Sequence, residues 1–235
     1  MIHRVLGREQ AVAHFSRLEV LNEIIETGLV PLFDATDIEV AKQVVCACVD
    51  GGAHVVEFRN RGDRAFMTFA ELSGWAAAEQ PALILGVGTV LDPATAALYL
   101  ACGAAFVVSP VLNPEIARVC NRQKVAYVPG CGSVSEISAA EELGVEICKI
   151  FPGKEIGGPD FVRAALAPCP HFRLMPTGGV DATEESVTAW IKAGAACLGM
   201  GARLITSDAV RRGEYAKITT TVQQVLGWIR AARLS

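Results

Sequence analysis

The chain has 235 residues, 51% of them hydrophobic, with 21 basic and 25 acidic side chains and a formal charge of −4. That is enough apolar material for one large α/β domain, and no arm or stripe of Lys and Arg marks a nucleic-acid surface. The N-terminal MIHRVLGREQAVAHFSRLEVLNEII lacks the apolar core and cleavage site of a signal peptide, and no apolar stretch reaches the roughly 20 residues of a membrane span, so a soluble, cytoplasmic protein without nucleic-acid or membrane partners is expected.

A helix over roughly residues 9–27 precedes the first short apolar run, GLVPLF (28–33). DIEVAKQVVCACVDGG then opens on an Asp cap and closes on Gly. The runs HVVEFRN (54–60) and ALILGVGTV (82–90) come next, followed by DPATAALYLACG with Asp92 as N-cap, Pro93 at the first helical position and Gly103 at the end. AFVVSP (105–110) leads to NPEIARVCNRQ, which repeats the pattern at Asn113 and Pro114. VAYVPG (125–130) leads to SVSEISAAEELG, where Ser133 and Glu136 read as a capping box. VEICKIFP (145–152), FRLMPTGG (172–179), the helix DATEESVTAWIKAG from Asp181 to Gly194, ACLGMG (196–201) and a last helix over roughly 214–232 complete the chain.

The apolar runs begin roughly 20 to 28 residues apart, the period of a repeated strand–helix unit. Continuous rather than alternating apolarity means strands buried on both faces, hence a parallel sheet sandwiched by helices. Eight such runs predict a (β/α)8 barrel, a single domain spanning 1–235 with one additional N-terminal helix. The competing architecture is an open doubly wound sheet, against which GVGTVL lacks the third Gly of a dinucleotide fingerprint. The eight cysteines include no C-x-x-C pair and read as reduced packing residues.

Chemistry in such a barrel sits at the C-terminal ends of the strands. Lys149 stands inside the apolar run VEICKIF. One reading is a frayed strand end, its ammonium reaching water. The other is a desolvated amine, which sheds its proton to avoid the cost of a buried charge and then attacks a ketone to form an imine. Glu57 is either a structural partner of Arg59 or a general acid/base for the same chemistry. Arg59 and Arg61 alternate with Glu57 and so share its side of the strand. Arg61 offers a bidentate clamp for a carboxylate, against a surface ion pair. Thr89 offers a hydroxyl donor, against a merely β-branched strand residue. Thr177, Gly178 and Gly179, with Gly201 in GMG, suit backbone N–H groups cradling an anion, against tight turns alone.

Taken together, VVEFRNR, GVGTV, VVSP, VPGCGSVSE, CKIFP and PTGGV, in this order from about residue 20 onward, resemble the 2-keto-3-deoxy-6-phosphogluconate / 4-hydroxy-2-oxoglutarate aldolase family, class I pyruvate aldolases. The resemblance implies that Lys149 forms the Schiff base with pyruvate and that Glu57 shuttles protons. It implies that Arg61 and Thr89 hold the pyruvate carboxylate, that Phe151 and Pro152 wall the site, that Thr177 lies beside it, and that Pro110 is a further substrate-binding residue. It also implies a homotrimer and no cofactor or metal. Two positions depart from the family pattern: Ala202 follows the Gly where a Ser is common, and Asp34 stands where some members carry an Arg. Arg59 adds a charge on the face of Glu57 and is a candidate partner for Asp34. The substrate's distal end is therefore expected to be less anionic than a phosphosugar acid, or to be held differently.

Three rivals remain at this point. One is a phosphate-binding epimerase or isomerase using Glu57 and Lys149 as an acid–base pair. A second is a barrel that binds a metabolite without turning it over. A third, metal-dependent aldol chemistry, would need ligands at the strand ends, whereas His3, His14, His54 and His171 fall near helix or strand starts.

Overall fold

A computed structural model describes residues 15–234. The chain begins with α1 (Arg17–Thr27), β1 (Leu29–Phe33), α2 (Ile38–Asp50), β2 (Val55–Arg59), α3 (Ala65–Glu79) and β3 (Ile84–Gly88). It continues through α4 (Pro93–Ala101), β4 (Phe106–Val108), α5 (Pro114–Gln123), β5 (Ala126–Val128), β6 (Gly130–Cys131), α6 (Val134–Glu142) and β7 (Cys148–Ile150). α7 (Gly158–Leu166), β8 (Leu174–Pro176), α8 (Glu184–Lys192), β9 (Leu198–Met200), the short α9 (Ser207–Arg211) and α10 (Tyr215–Leu234) complete it. Every expected apolar run contains a strand.

The helix punctuation has a physical basis at each start. Asp37, Asp92 and Asn113 accept hydrogen bonds from the first free N–H groups of α2, α4 and α5. Ser133 caps α6 by accepting from Glu136 N, but the Glu136 carboxylate reaches back to Gly132 N, so the expected reciprocal box closes one residue early. α8 starts near Asp181 as expected, at the Thr183 cap two residues on. α1 starts at Arg17, because Ser16 and Glu19 form a reciprocal capping box there; residues 9–14 of the expected helix lie outside the described residues.

The strands pair in parallel in two sheets, one of six strands in the order β5-β4-β3-β2-β1-β9 and one of three in the order β6-β7-β8. The α/β class with a parallel sheet covered by helices holds, while one continuous eight-stranded ring is not shown. The fifth run divides because Pro129 has no N–H to give a ladder: β5 pairs with β4, and β6, just past it, pairs with β7. Between β8 and β9 the pairing shrinks to a single bridge, Thr177 to Gly199.

Alternation along the strands sorts side chains into two apolar clusters. The outer one packs residues such as Phe33, Phe58, Val87 and Leu198 against the surrounding helices. The inner one joins Val30, Val55, Ile84, Phe106, Ile147 and Met175 to Val20, Leu21 and Ile24 of α1, so α1 closes one end of the inner face. Arg17 fastens that closure by donating to Asn121 Oδ1 at 2.6 Å and pairing with Glu146 at 2.7 Å. Cys48, Cys120 and Cys197 are buried, and burial pushes each thiol up to about 12. Among the described residues no helix is long and apolar enough to cross a membrane.

Candidate active site

Two residues beyond the inner apolar layer, the inward positions change character. Val55 is followed by Glu57 and Arg59, Ile147 by Lys149 and Phe151, Met175 by Thr177 and Gly179, and Cys197 by Gly199 and Gly201. The period of two that buries the first residue of each set delivers the next to the same face at the strand's C-terminal end. There, a cavity of about 270 Å³ is lined by Glu57, Arg59, Arg61, Thr89, Pro110, Lys149, Phe151, Thr177, Gly178, Gly179 and Gly201. These are the residues singled out from the sequence, brought together from six of the strands and the loops that follow them. Arg61 lies two residues past the end of β2 and is exposed, so it reaches the cavity from a loop rather than from the strand.

Lys149 is 6% exposed and Glu57 1%. Both stand on central positions of their ladders, Glu57 opposite Leu32 and Gly86, Lys149 opposite Gly130 and Met175. Burial pushes the Glu57 carboxyl above the usual carboxylate range, opposed by the charges of Lys149 and then Arg59. Lys149 Nζ lies 5.2 Å from the centroid of the Phe151 ring, within cation–π distance. Gly88 leaves the space that the Glu57 carboxylate occupies, since a Cβ there would run into Oε1. In the same way Gly199 leaves room for the Thr177 hydroxyl.

Arg59 forms an ion pair with Asp34 at the end of β1. Burial lowers the Arg59 pKa and Asp34 raises it. Across the cavity Arg203 Nε lies 3.1 Å from Asp181 Oδ1. Three buried polar atoms of the cavity find no protein partner: Glu57 Oε2, Arg59 Nε and Thr177 Oγ1. Groups of this kind are rare in folded proteins and mark places where a polar ligand or water completes the bonding.

Several cavity residues carried no signal in the sequence. Leu32, Val180 and Arg203 also line it; the first two read as ordinary core, and Arg203 sits in a loop with no motif of its own. Asn60 was likewise overlooked between two arginines. It accepts from Tyr99 Oη at 2.7 Å and donates to the Thr89 carbonyl at 3.4 Å, tying the end of β2 to the loop that carries Thr89. Among the described residues no cluster of His, Cys, Asp and Glu is placed to hold a metal ion.

Comparison with known proteins completes the description. The family model described as "Aldolase: KDPG and KHG aldolase" matches residues 20–221. The KHG/KDPG aldolase of Escherichia coli K12 is 30% identical over 204 residues, covering 86% of this chain and 93% of that protein. The 2-dehydro-3-deoxy-phosphogluconate aldolase of Treponema pallidum is 30% identical over 211 residues, 89% of this chain and 97% of its own. Among solved structures, the KDPG aldolase of Legionella pneumophila, with pyruvate captured as a covalent carbinolamine, superposes with a TM-score of 0.78 at 25% identity, over 86% of this chain and 96% of that one.

Proposed function

The chain belongs to the KDPG and KHG aldolase family, and on that premise we propose that its cavity runs a Schiff-base cleavage of a 2-keto-4-hydroxy acid to pyruvate and an aldehyde. Lys149 Nζ attacks the C2 ketone to give a carbinolamine. Glu57 protonates the departing hydroxyl, water leaves, and a protonated imine remains. The Glu57 carboxylate then takes the proton of the C4 hydroxyl. The C3–C4 bond breaks, its electrons pass into the imine, and the aldehyde departs from an enamine of pyruvate. Protonation at C3 and addition of water return pyruvate and the free amine.

Arg61 and Thr89 hold the carboxylate of the keto acid in this scheme. Phe151 and Pro110 wall the reacting carbons, and Thr177, Gly178, Gly179 and Gly201 surround the far half of the substrate. The observation that carries the reading is the grouping of unpartnered polar atoms around a buried amine, each of which a keto acid or its aldehyde half can satisfy. The Legionella aldolase, holding pyruvate as a carbinolamine, supports the covalent route. An epimerase acting through the same two residues would form no such adduct.

Incubation with pyruvate and borohydride, followed by peptide mass mapping, tests the scheme. A stable adduct on Lys149, and loss of turnover in a folded Lys149→Ala protein, are expected; an adduct elsewhere, or none, overturns it.

Architecture and assembly follow from the same reading. The two sheets are one closed eight-stranded ring and a single domain, supported by the Thr177–Gly199 bridge and by the bond from Ala196 N to Leu174 O, which joins the last two strands. The enzyme is a cytoplasmic homotrimer, supported by exposed apolar side chains such as Met67, Leu91 and Val111, which self-association would cover.

A further inference from the structure

The charged groups around the cavity are matched in a way that limits what the far half of the substrate can carry. Five charged side chains line it: Glu57, Arg59, Arg61, Lys149 and Arg203. Arg59 is already paired with Asp34, and Arg203 with Asp181. Lys149 and Glu57 carry opposite formal charges, so the two sum to zero. Of the three arginines that line the cavity, Arg61 is the one with no ion pair among the described residues, which leaves one unmatched positive charge in the cavity that Thr89 also lines. One positive charge accommodates one carboxylate, and the 2-keto acid supplies that at its reacting end.

Resting on the aldolase reading, we propose that the aldehyde half of the substrate is an uncharged polyhydroxy chain, and that the Asp34–Arg59 pair is what selects it. A phosphate would bring a charge of about −1.5 to −2 and oxygens that only accept hydrogen bonds. It would find Arg59 and Arg203 neutralised and a carboxylate beside each. A hydroxyl chain both donates and accepts, which is what the cavity presents. Arg59 Nε donates, Thr177 Oγ1 does either, and both are buried without a protein partner.

Steady-state kcat/KM of the full chain on three substrates tests this. They are a six-carbon 2-keto-3-deoxy sugar acid, the same acid with a terminal phosphate, and 4-hydroxy-2-oxoglutarate, whose far end is a carboxylate. The unphosphorylated sugar acid is expected to lead both anionic substrates by about tenfold or more, the size of effect a like charge brings to a binding site. Asp34→Asn releases Arg59 from its partner and should narrow that lead by about tenfold through KM of the anionic substrates. A wild-type enzyme that prefers the phosphorylated acid overturns the proposal, and needs no variant to do so. An unchanged ratio in a folded Asp34→Asn protein also overturns it. Trapping of pyruvate on Lys149 in parallel separates the two levels. An adduct with the wrong preference defeats only the specificity, whereas no adduct and no cleavage of any substrate defeats the aldolase reading and this proposal together.

Discussion

Adding one methyl group at Gly88 should damage both the fold and the chemistry, for a single reason. Gly88 is the last residue of β3 and faces inward. A Cβ there would meet Glu57 Oε1 first, then Glu57 Cδ at 2.9 Å and Val108 Cβ at 3.0 Å. Neither neighbour can retreat into solvent, since Glu57 and Val108 are both buried on the same inner face. Overpacking of this kind costs about 1–3 kcal/mol. In a chain of this length each kcal/mol moves Tm by roughly 2–4 °C, so Gly88→Ala should melt roughly 2–12 °C below wild type. The displaced carboxyl should cost catalysis more than its stability effect suggests, on the order of 100-fold in kcat for a shift near 1 Å. Gly74, in the middle of α3, is the control: a Cβ there meets nothing within 4 Å, so Gly74→Ala should gain about 0.5–1 kcal/mol. A double-mutant cycle locates the clash. In a Glu57→Asp background the shorter side chain withdraws, and Gly88→Ala should then cost markedly less in thermal melts. Wild-type Tm and kcat in Gly88→Ala, or strict additivity with Glu57→Asp, would refute the placement of the carboxylate.

Glu57 also predicts a pH dependence. Its folded pKa is raised by burial, so the native state holds a proton that the unfolded chain releases near pH of about 4.3. Stability contributed by this group is present below that pH and is lost as pH rises through the raised folded value. Glu57→Gln should therefore lose turnover yet gain Tm on wild type progressively as pH is raised; parallel Tm–pH curves would count against the buried carboxyl. Ile24→Ala removes the side chain that α1 inserts into the inner cluster and should lower stability by about 2–5 kcal/mol in denaturant titrations; a loss below about 1 kcal/mol would mean that α1 does not close the inner face. Asp92→Ala strips the α4 cap, whose carboxylate accepts from Thr95 N at 2.9 Å. It should cost about 0.5–2 kcal/mol with kcat unchanged, as measured by melts and initial rates.

What the sequence discloses follows from which physical constraint each part obeys. Strands buried on both faces must be apolar throughout, so all the runs were visible. That the fifth run changes partner at Pro129 depends on its neighbours, which a linear pattern does not contain. Helices α2, α4, α5 and α6, each with a side-chain cap at its start, announced themselves. α3 follows Arg64 and α7 follows Gly157 at the N-cap, neither with a side-chain cap bond, and neither was marked. The true start of α1 was written as S-x-x-E at Ser16 and Glu19 and was overlooked because the apolar pattern continues upstream of it. Lys149 and Glu57 stood out because an ionisable group inside an apolar run has a cost that must be explained. Arg203 and Asn60 had no such contrast, lying among other polar residues, and only their placement distinguishes them.

The same two-residue step that exposes the site to reasoning also protects it. Along the inner face β2 and β7 pass from an apolar residue of the inner cluster to a charged one at the cavity, from Val55 to Glu57 and from Ile147 to Lys149. A slip of one residue in β2 or β7 would bury Glu57 or Lys149 in the outer cluster, against helices that offer it no counter-charge, and would turn Phe58 or Ile150 toward the cavity. An unpaired charge there costs far more than the ladder bonds it would preserve. Within the correct register the two groups line a common cavity, and their opposite charges attract. The residues that perform the chemistry therefore also penalise the wrong registers. The cost of a cavity holding a buried amine and a buried carboxyl is thus offset only in part by their mutual attraction: the charge of Lys149 opposes the burial of Glu57, burial prevails, and the carboxyl pKa stays raised, as the proton transfers require.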